Sequence, residues 1–366
     1  MSYNPVTFSR KDAQQFFQTT RQRVNEYFEE NNIDKSGNGK MYIKTLVMFA
    51  LYFGPLVLMV IQPMAAPIVI LMYAIMGLGK SGIGMAVMHD ANHGSYSKHT
   101  WVNKLVSYSL NAIGASKFTW HIQHNVKHHT YTNVYELDED VHDKPFLRLS
   151  PHGVMKPHHR HQHKYALLIY SLATISWLFY KDFKQILHYN KTGLTKENGF
   201  SPTREWVIMI ITKVVYVGYA IVLPLSVGIA WWAVALGFIV MHLIAGFLVT
   251  IVFQLAHVVE GPDHFITDPD GGKMDNTWAI HQLKTTSNFA THNKALTWFV
   301  GGLTHQVEHH LFPKISHIHY SKIAKIVQQT AKECNLPYYE QDKFGKAIVS
   351  HLRVLKSFGN MNVVPA

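Results

Sequence analysis

The stretch Leu46–His93 reads LVMFALYFGPLVLMVIQPMAAPIVILMYAIMGLGKSGIGMAVMHDANH. From Leu46 to Ile61 it carries no charge. After Gln62-Pro63 a second run extends from Met64 to Met88, broken only by Lys80. A bilayer core of ~30 Å needs about 20 apolar residues as helix. The first run is at the short limit of that length. A third run begins at Trp206 and holds Lys213 before Pro224, and a fourth, of ample length, runs uncharged from Ile229 to Ala256. The pattern predicts an all-α integral membrane protein with four transmembrane helices over about 46–62, 64–88, 206–228 and 229–256. They form two helical hairpins with short connectors at Pro63 and Pro224.

Neither connector contains Lys or Arg. Arg10, Lys11, Arg21, Arg23, Lys35, Lys40 and Lys44 precede the first run, and many more basic residues fall between 98 and 204 and after 273. The positive-inside rule therefore puts the N-terminus, the middle segment and the C-terminus in the cytoplasm. In a bacterial cell that means the plasma (inner) membrane. The first apolar run begins too far in for a cleaved signal peptide. The domain reading is a cytoplasmic segment 1–45, a membrane domain 46–320 and a cytoplasmic segment 321–366. The apolar stretch Tyr165–Tyr180 is short and flanked by Lys164 and Lys181, so it reads as an interfacial helix.

Composition narrows the chemistry. The 366 residues carry a formal charge of +11, one cysteine and 25 histidines against 23 carboxylates. One cysteine excludes an internal disulfide and an iron–sulfur cluster on the chain's own thiolates. The positive charge suits anionic headgroups and an acidic partner protein. Without a recognisable nucleic-acid motif, nucleic acid is not expected as a partner. The first histidine is His89. Fourteen lie from His89 to His188, ten from His257 to His351, and His242 alone lies inside a span. His242 reads as a buried histidine bonded to another helix, with a substrate-lining role as the alternative.

Three clusters have ligand spacing. His89 and His93 stand at i and i+4, on one face of a helix leaving the bilayer. His124 and His128 repeat that spacing, and His129 is rotated about 100° from His128 on an α-helix. Gln306-Val-Glu-His309-His310 follows Gly301-Gly302. His257 ends the fourth span. Seven or eight imidazoles are too many for one ion and suggest two. Imidazole suits Zn, Cu, Fe and Ni, and the absence of thiolate argues against structural zinc.

With Asn133, Asp138 and Asp140 after the second cluster and Leu311-Phe312-Pro313 after the third, this set resembles the membrane fatty acid desaturase superfamily. The resemblance runs from about Leu46 to Tyr320, and Gln306 resembles the front-end acyl desaturase branch. It implies a cytoplasmic helical cap holding a di-iron site, with His89, His93, His124, His128, His129, His309 and His310 as ligands and His257 as the ligand outside the boxes. Asp90, Glu308 and Gln306 stand beside them, the carboxylates to orient ligands and Gln306 to bind iron, hold a water, or do neither. It further implies a cis double bond placed in a fatty acyl chain, carried on CoA or a lipid, with O2 as co-substrate. Many front-end members carry a fused b-type cytochrome domain. The 88 residues before His89 lack histidine and are too few for one. Electrons are therefore expected from a separate donor, a ferredoxin or a b-type cytochrome.

Other readings are weaker. A lipid or carotenoid hydroxylase or ketolase would use the same irons. His305-Gln-Val-Glu308-His309 fits an HxxEH zinc protease pattern but leaves two clusters unexplained. Metal transport predicts more polar residues within the spans. Gly77-Leu-Gly79-Lys-Ser-Gly82 fits a dinucleotide pattern but follows no strand, so its glycines read as helix-packing positions. Asp34–Thr45 lacks the final glutamate of a calcium loop and reads as a polar turn. Pro157–His163, the densest histidine run, matches no box and reads as a surface loop.

Overall fold

The computed structural model describes residues 6–10, 15–142, 144–267 and 272–361. Lys11 lies outside them. The chain is mostly helical. Four helices are long and apolar enough to cross a membrane: Gly39–Ile61, Ala66–His93, Pro202–Ser226 and Trp231–His257. Each overlaps a predicted span, falls one or two residues short of it at the connector and runs past it at the other end, where polar residues continue the helix. Asn38 opens the first, its side-chain oxygen accepting from the Lys40 amide at 3.0 Å. This satisfies one of the amides that a helix start leaves without an internal partner. In the polar turn before it, Asp34 accepts from the Ser36 amide.

The chain divides into two compact units, Gly37–Ile122 with Leu167–Ile251, and Met1–Ser36 with Gln123–Ala166 and Val252–Ala366. In the first, helix packing rests on the glycine positions. A Cβ on Gly79 would stand 2.5 Å from the Tyr52 amide nitrogen, one on Gly77 2.8 Å from the Met241 carbonyl, and one on Gly82 would strike the Met48 side chain. These glycines admit neighbouring helices.

Lys80, Tyr216 and His242, inside this unit's spans, form an ordered chain of hydrogen bonds with Thr174. Buried Lys80 donates to the Ile113 carbonyl at 2.6 Å and to the Tyr216 hydroxyl at 2.9 Å. Tyr216 in turn donates to His242 Nε2 at 2.8 Å. Thr174 donates to the His242 carbonyl, which leaves His242 Nδ1–H to donate to Thr174 Oγ1 at 3.0 Å. His242 is thus the buried, helix-bonded residue of the first reading. Lys213 pairs with Asp182 at 2.8 Å, and Asp182 also accepts from the Ser116 amide and the Thr119 hydroxyl. A buried charge must be paired and hydrogen-bonded in this way, since an uncompensated one is strongly destabilising.

The second unit buries Phe16, Val24, Leu283, Val307, Ile323 and Val327 in one apolar core. Helices Phe16–Glu30, Trp278–Thr285, Gln306–Leu311 and Tyr320–Glu333 supply it. Elsewhere in this unit buried Arg148 donates to the carbonyls of Gly153, Phe358 and Met361.

Three expectations need correction. The chain is not purely helical: Thr7–Phe8 pairs in parallel with Lys273–Met274, and Ser287–Phe289 with Tyr339–Gln341. Pro157–His161 is not a loop but a 3-10 helix in which His159 is buried, with Gly359 seated against its carbonyl. The third concerns helix pitch. Ile83–Val87, His121–His128, Trp177–Lys181 and Gly218–Val222 are π-helical, which apolar periodicity does not reveal.

Replacing Gly79 by Leu should cost at least about 3 kcal/mol, since the clash is with backbone that cannot turn aside. The purified variant should show a lower thermal midpoint in detergent. An unchanged midpoint would disprove the tight contact.

Candidate metal centre

In the second unit five box histidines and His257 converge from three elements. His124, His128 and His129 lie on His121–Tyr131, His257 ends the helix Trp231–His257, and His309 and His310 lie on Gln306–Leu311. Ring nitrogens of His128, His257 and His310 all lie within 4.8 Å of one another, and so do those of His129, His309 and His310. All six residues are buried.

The π-helix changes the expected pairing. On an α-helix His124 and His128 would share a face. With i→i+5 bonding, His124 stands one turn below His129, and their Nε2 atoms are 3.2 Å apart. His129 Nε2 is also 3.0 Å from His309 Nε2. His128 is thereby released toward His257 and His310, with ring centroids at 4.7 and 5.0 Å.

The outer nitrogen is held in four of these rings. His128 Nδ1 meets Asp138 Oδ2 at 3.0 Å, and His257 Nδ1 donates to the Thr285 carbonyl at 3.1 Å. His310 Nδ1 donates to Gln282 Oε1 at 2.8 Å, and His309 Nδ1 meets the Tyr320 hydroxyl at 3.2 Å. A neutral imidazole has one donor and one acceptor nitrogen. Anchoring Nδ1–H outward turns the Nε2 lone pair inward. The Nε2 atoms of His128 and His257 are buried with no hydrogen-bond partner. Such orphaned acceptors, aimed at one another and backed by a carboxylate, a carbonyl and an amide, are what a cation bound by imidazole requires. The residues fit a metal.

Asp138 secures the second box. Burial would raise its pKa, but the neighbouring His128, with bonds from His128 and from the Asp140 and Asn133 amides, holds the carboxyl below the usual carboxylate range. It therefore stays ionised and accepts the Nδ1 proton. Asn133 adopts the left-handed region at φ 56°, which asparagine tolerates. From there its side chain donates to the carbonyls of His257 and Asp263. Gln282, Thr285 and Tyr320 went unseen in the sequence. Gln282 lies in no histidine pattern, and Thr285 acts through a backbone carbonyl that any residue would offer.

Glu308 faces other partners. Its oxygens accept from Asn288 Nδ2 and the Tyr338 hydroxyl, each at 2.9 Å. Burial pushes its pKa up to about 7 against those two bonds. Asn288 Oδ1 also accepts from the Val307 amide. The carboxyl therefore ties the box helix to the parallel pair Ser287–Phe289 and Tyr339–Gln341. Gln306 Nε2 donates to the Leu303 carbonyl at 2.9 Å.

In the first unit His89 and His93 share one helical turn, Met88–His93, after the π-turn Ile83–Val87. Their ring centroids are 4.7 Å apart, and each ring stands edge-on to Trp120. Asp90 Oδ1 lies 3.9 Å from His89 Nδ1. Gly94, at φ 77°, ends the turn.

Residues 43–342 match the family model described as fatty acid desaturase. The chain belongs to the fatty acid desaturase family. It is 33% identical over 354 residues to the sn-1 linoleoyl-lipid 6-desaturase of Synechocystis sp., covering 97% of this chain and 98% of that one. A protein of the same name from Arthrospira platensis is 34% identical, with 96% and 94% covered. The acyl-lipid (8-3)-desaturase of Physcomitrium patens is 32% identical, with 98% and 75% covered. This desaturase is thus an oxidoreductase of fatty acyl chains and an integral membrane protein, and the zinc protease reading falls away.

Asp138→Asn should lower metal affinity 10–100-fold, the usual loss on removing a partner that orients a ligating histidine. Iron retention against a competing chelator reads this out. Retention equal to the unaltered protein would show that the carboxylate does not set the His128 ring.

Proposed function

We propose that this desaturase introduces a cis double bond into an acyl chain carried on a glycerolipid, using two iron ions, O2 and two electrons from a separate donor. The observation that carries the reading is the outward anchoring of Nδ1 on His128, His257, His309 and His310, which aims their Nε2 lone pairs at shared points. With His124 and His129 they make six candidate ligands, and His89 and His93 supply two more. Names among the relatives specify lipid-linked acyl chains, and this favours a glycerolipid over CoA as carrier. We further propose that the four spans form two hairpins, with both termini and a helical cap on the cytoplasmic side.

Bound iron, reduced and supplied with O2, would provide the oxidising power to break an unactivated methylene C–H bond, which no side-chain acid or base can do. Two hydrogens leave adjacent carbons. With two further protons and two electrons, O2 leaves as two waters. The protein's own part is to hold ligands and exclude solvent. Asp138, the Thr285 carbonyl and Gln282 keep three imidazoles in the tautomer that presents Nε2. Burial of the six histidines keeps bulk water from the centre.

Expression in a host without polyunsaturated lipids should yield a new cis double bond in intact glycerolipids, seen by mass spectrometry. The His93→Ala variant should yield none. Purified protein should hold about two irons. An unchanged lipid profile from iron-loaded protein, given a donor and a range of acyl substrates, would refute the function. Stoichiometric zinc would refute the metal.

A further inference from the structure

The short helix Trp278–Thr285 touches the backs of three candidate ligands. The Thr285 carbonyl accepts from His257 Nδ1, Gln282 accepts from His310 Nδ1, and Trp278 Nε1 donates to the His129 carbonyl at 2.9 Å. Gln282 Nε2 reaches the same carbonyl at 3.3 Å. The first two bonds account for ligand orientation. Trp278 adds something they do not, because it is only half-buried. One side of the indole reaches a metal-ligating residue and the other lines an open hollow on the protein surface.

That hollow is formed by Arg10, Phe17, Gln18, Arg21, Gln22 and Trp278, with Glu26 and Glu29 at its far end. The Phe17 ring stands edge-on to Trp278, centroids 5.6 Å apart, and stacks on Phe312 at 6.0 Å. Arg21 lies one turn beyond Phe17 on the helix Phe16–Glu30. Arg10 and Arg21 are exposed and enter no ion pair among the described residues. Glu26 accepts a hydrogen bond from Gln22. The aromatic end of the hollow is therefore flanked by two available guanidinium groups. No large apolar side chain is exposed on Phe16–Glu30, so the surface does not suit insertion into lipid.

We infer that this hollow docks a small acidic electron-carrier protein, and that Trp278 conducts each electron from the carrier to the metal centre through the His129 carbonyl. The inference rests on the di-iron reading above. Per electron, the reduced carrier is oxidised by one unit and one ferric ion becomes ferrous, and this occurs twice per turnover. Trp278 ends unchanged and exchanges no proton. Tunnelling weakens steeply with distance and less so through bonds. The route indole, Nε1–H···O=C, His129 backbone and imidazole is continuous from surface to ligand. Redox encounters are among the smallest protein interfaces, so a hollow of this kind suffices. Arginines at its edge would steer an acidic partner and set its salt dependence.

The test is anaerobic stopped-flow reduction of the iron-loaded full chain in detergent. The probes are a reduced [2Fe–2S] ferredoxin and a reduced b-type cytochrome, both acidic, with dithionite as a small non-docking reductant. Iron content is measured first. Arg21→Glu, a surface change, should slow reduction by at least one protein probe about tenfold at low ionic strength, with the gap closing as salt rises. Trp278→Phe should slow the same reaction about tenfold at every salt concentration. Dithionite should reduce both variants at the rate of the unaltered chain.

Reduction of both variants at the unaltered rate overturns the inference. So does a deficit shared by dithionite, which would make Trp278 a support for His129 alone. Failure of both carriers to reduce the loaded, unaltered chain counts against it as well. A chain that binds no iron refutes the metal reading instead, which separates the two failures.

Discussion

A buried imidazole whose inward nitrogen has no hydrogen-bond partner is costly, because the lone pair has left water for nothing. The second unit accepts this cost at His128 and His257. It does so by giving each outer nitrogen a partner that cannot swing away: a buried carboxylate for one, a backbone carbonyl for the other. Much of the surrounding structure serves those partners. The left-handed turn at Asn133 and the helix Trp278–Thr285 hold the groups that hold the rings.

Intramembrane polarity follows the same logic with a different outcome. Lys80, Tyr216, His242 and Thr174 form a chain in which every donor and acceptor role is determined by its neighbour. Here both nitrogens of His242 are satisfied, and no ligand is called for. A histidine with two partners and a histidine with one differ little in a sequence, yet they have opposite meanings.

Much of the architecture was legible in the letters. Uncharged runs located four long helices, and HDANH, HNVKHH and QVEHH located the histidines. Helix pitch was not legible, since a π-turn differs from an α-turn by one residue in the hydrogen-bond count and leaves no compositional mark. The pairing of His124 with His129 depends on that pitch. Nor was Thr285 legible, because its contribution is a carbonyl. Glu308 reads in the sequence as a group that orients a ligand, but its carboxylate bonds Asn288 and Tyr338, residues distant in sequence.

Arg148 bears on how the chain is made. Its guanidinium is buried against the carbonyls of Phe358 and Met361, more than 200 positions later in synthesis. Translation is slow beside local folding, so Arg148 emerges many seconds before its acceptors. Until then a permanent cation has no buried place to rest, and its segment must stay hydrated. In the first unit the bonds of Lys80, Tyr216 and Asp182 described above close once Lys213 and His242 have appeared. The unit that holds Arg148 is therefore the last to mature. A truncated chain would leave Arg148 without its acceptors and its segment hydrated, for quality-control proteases to find.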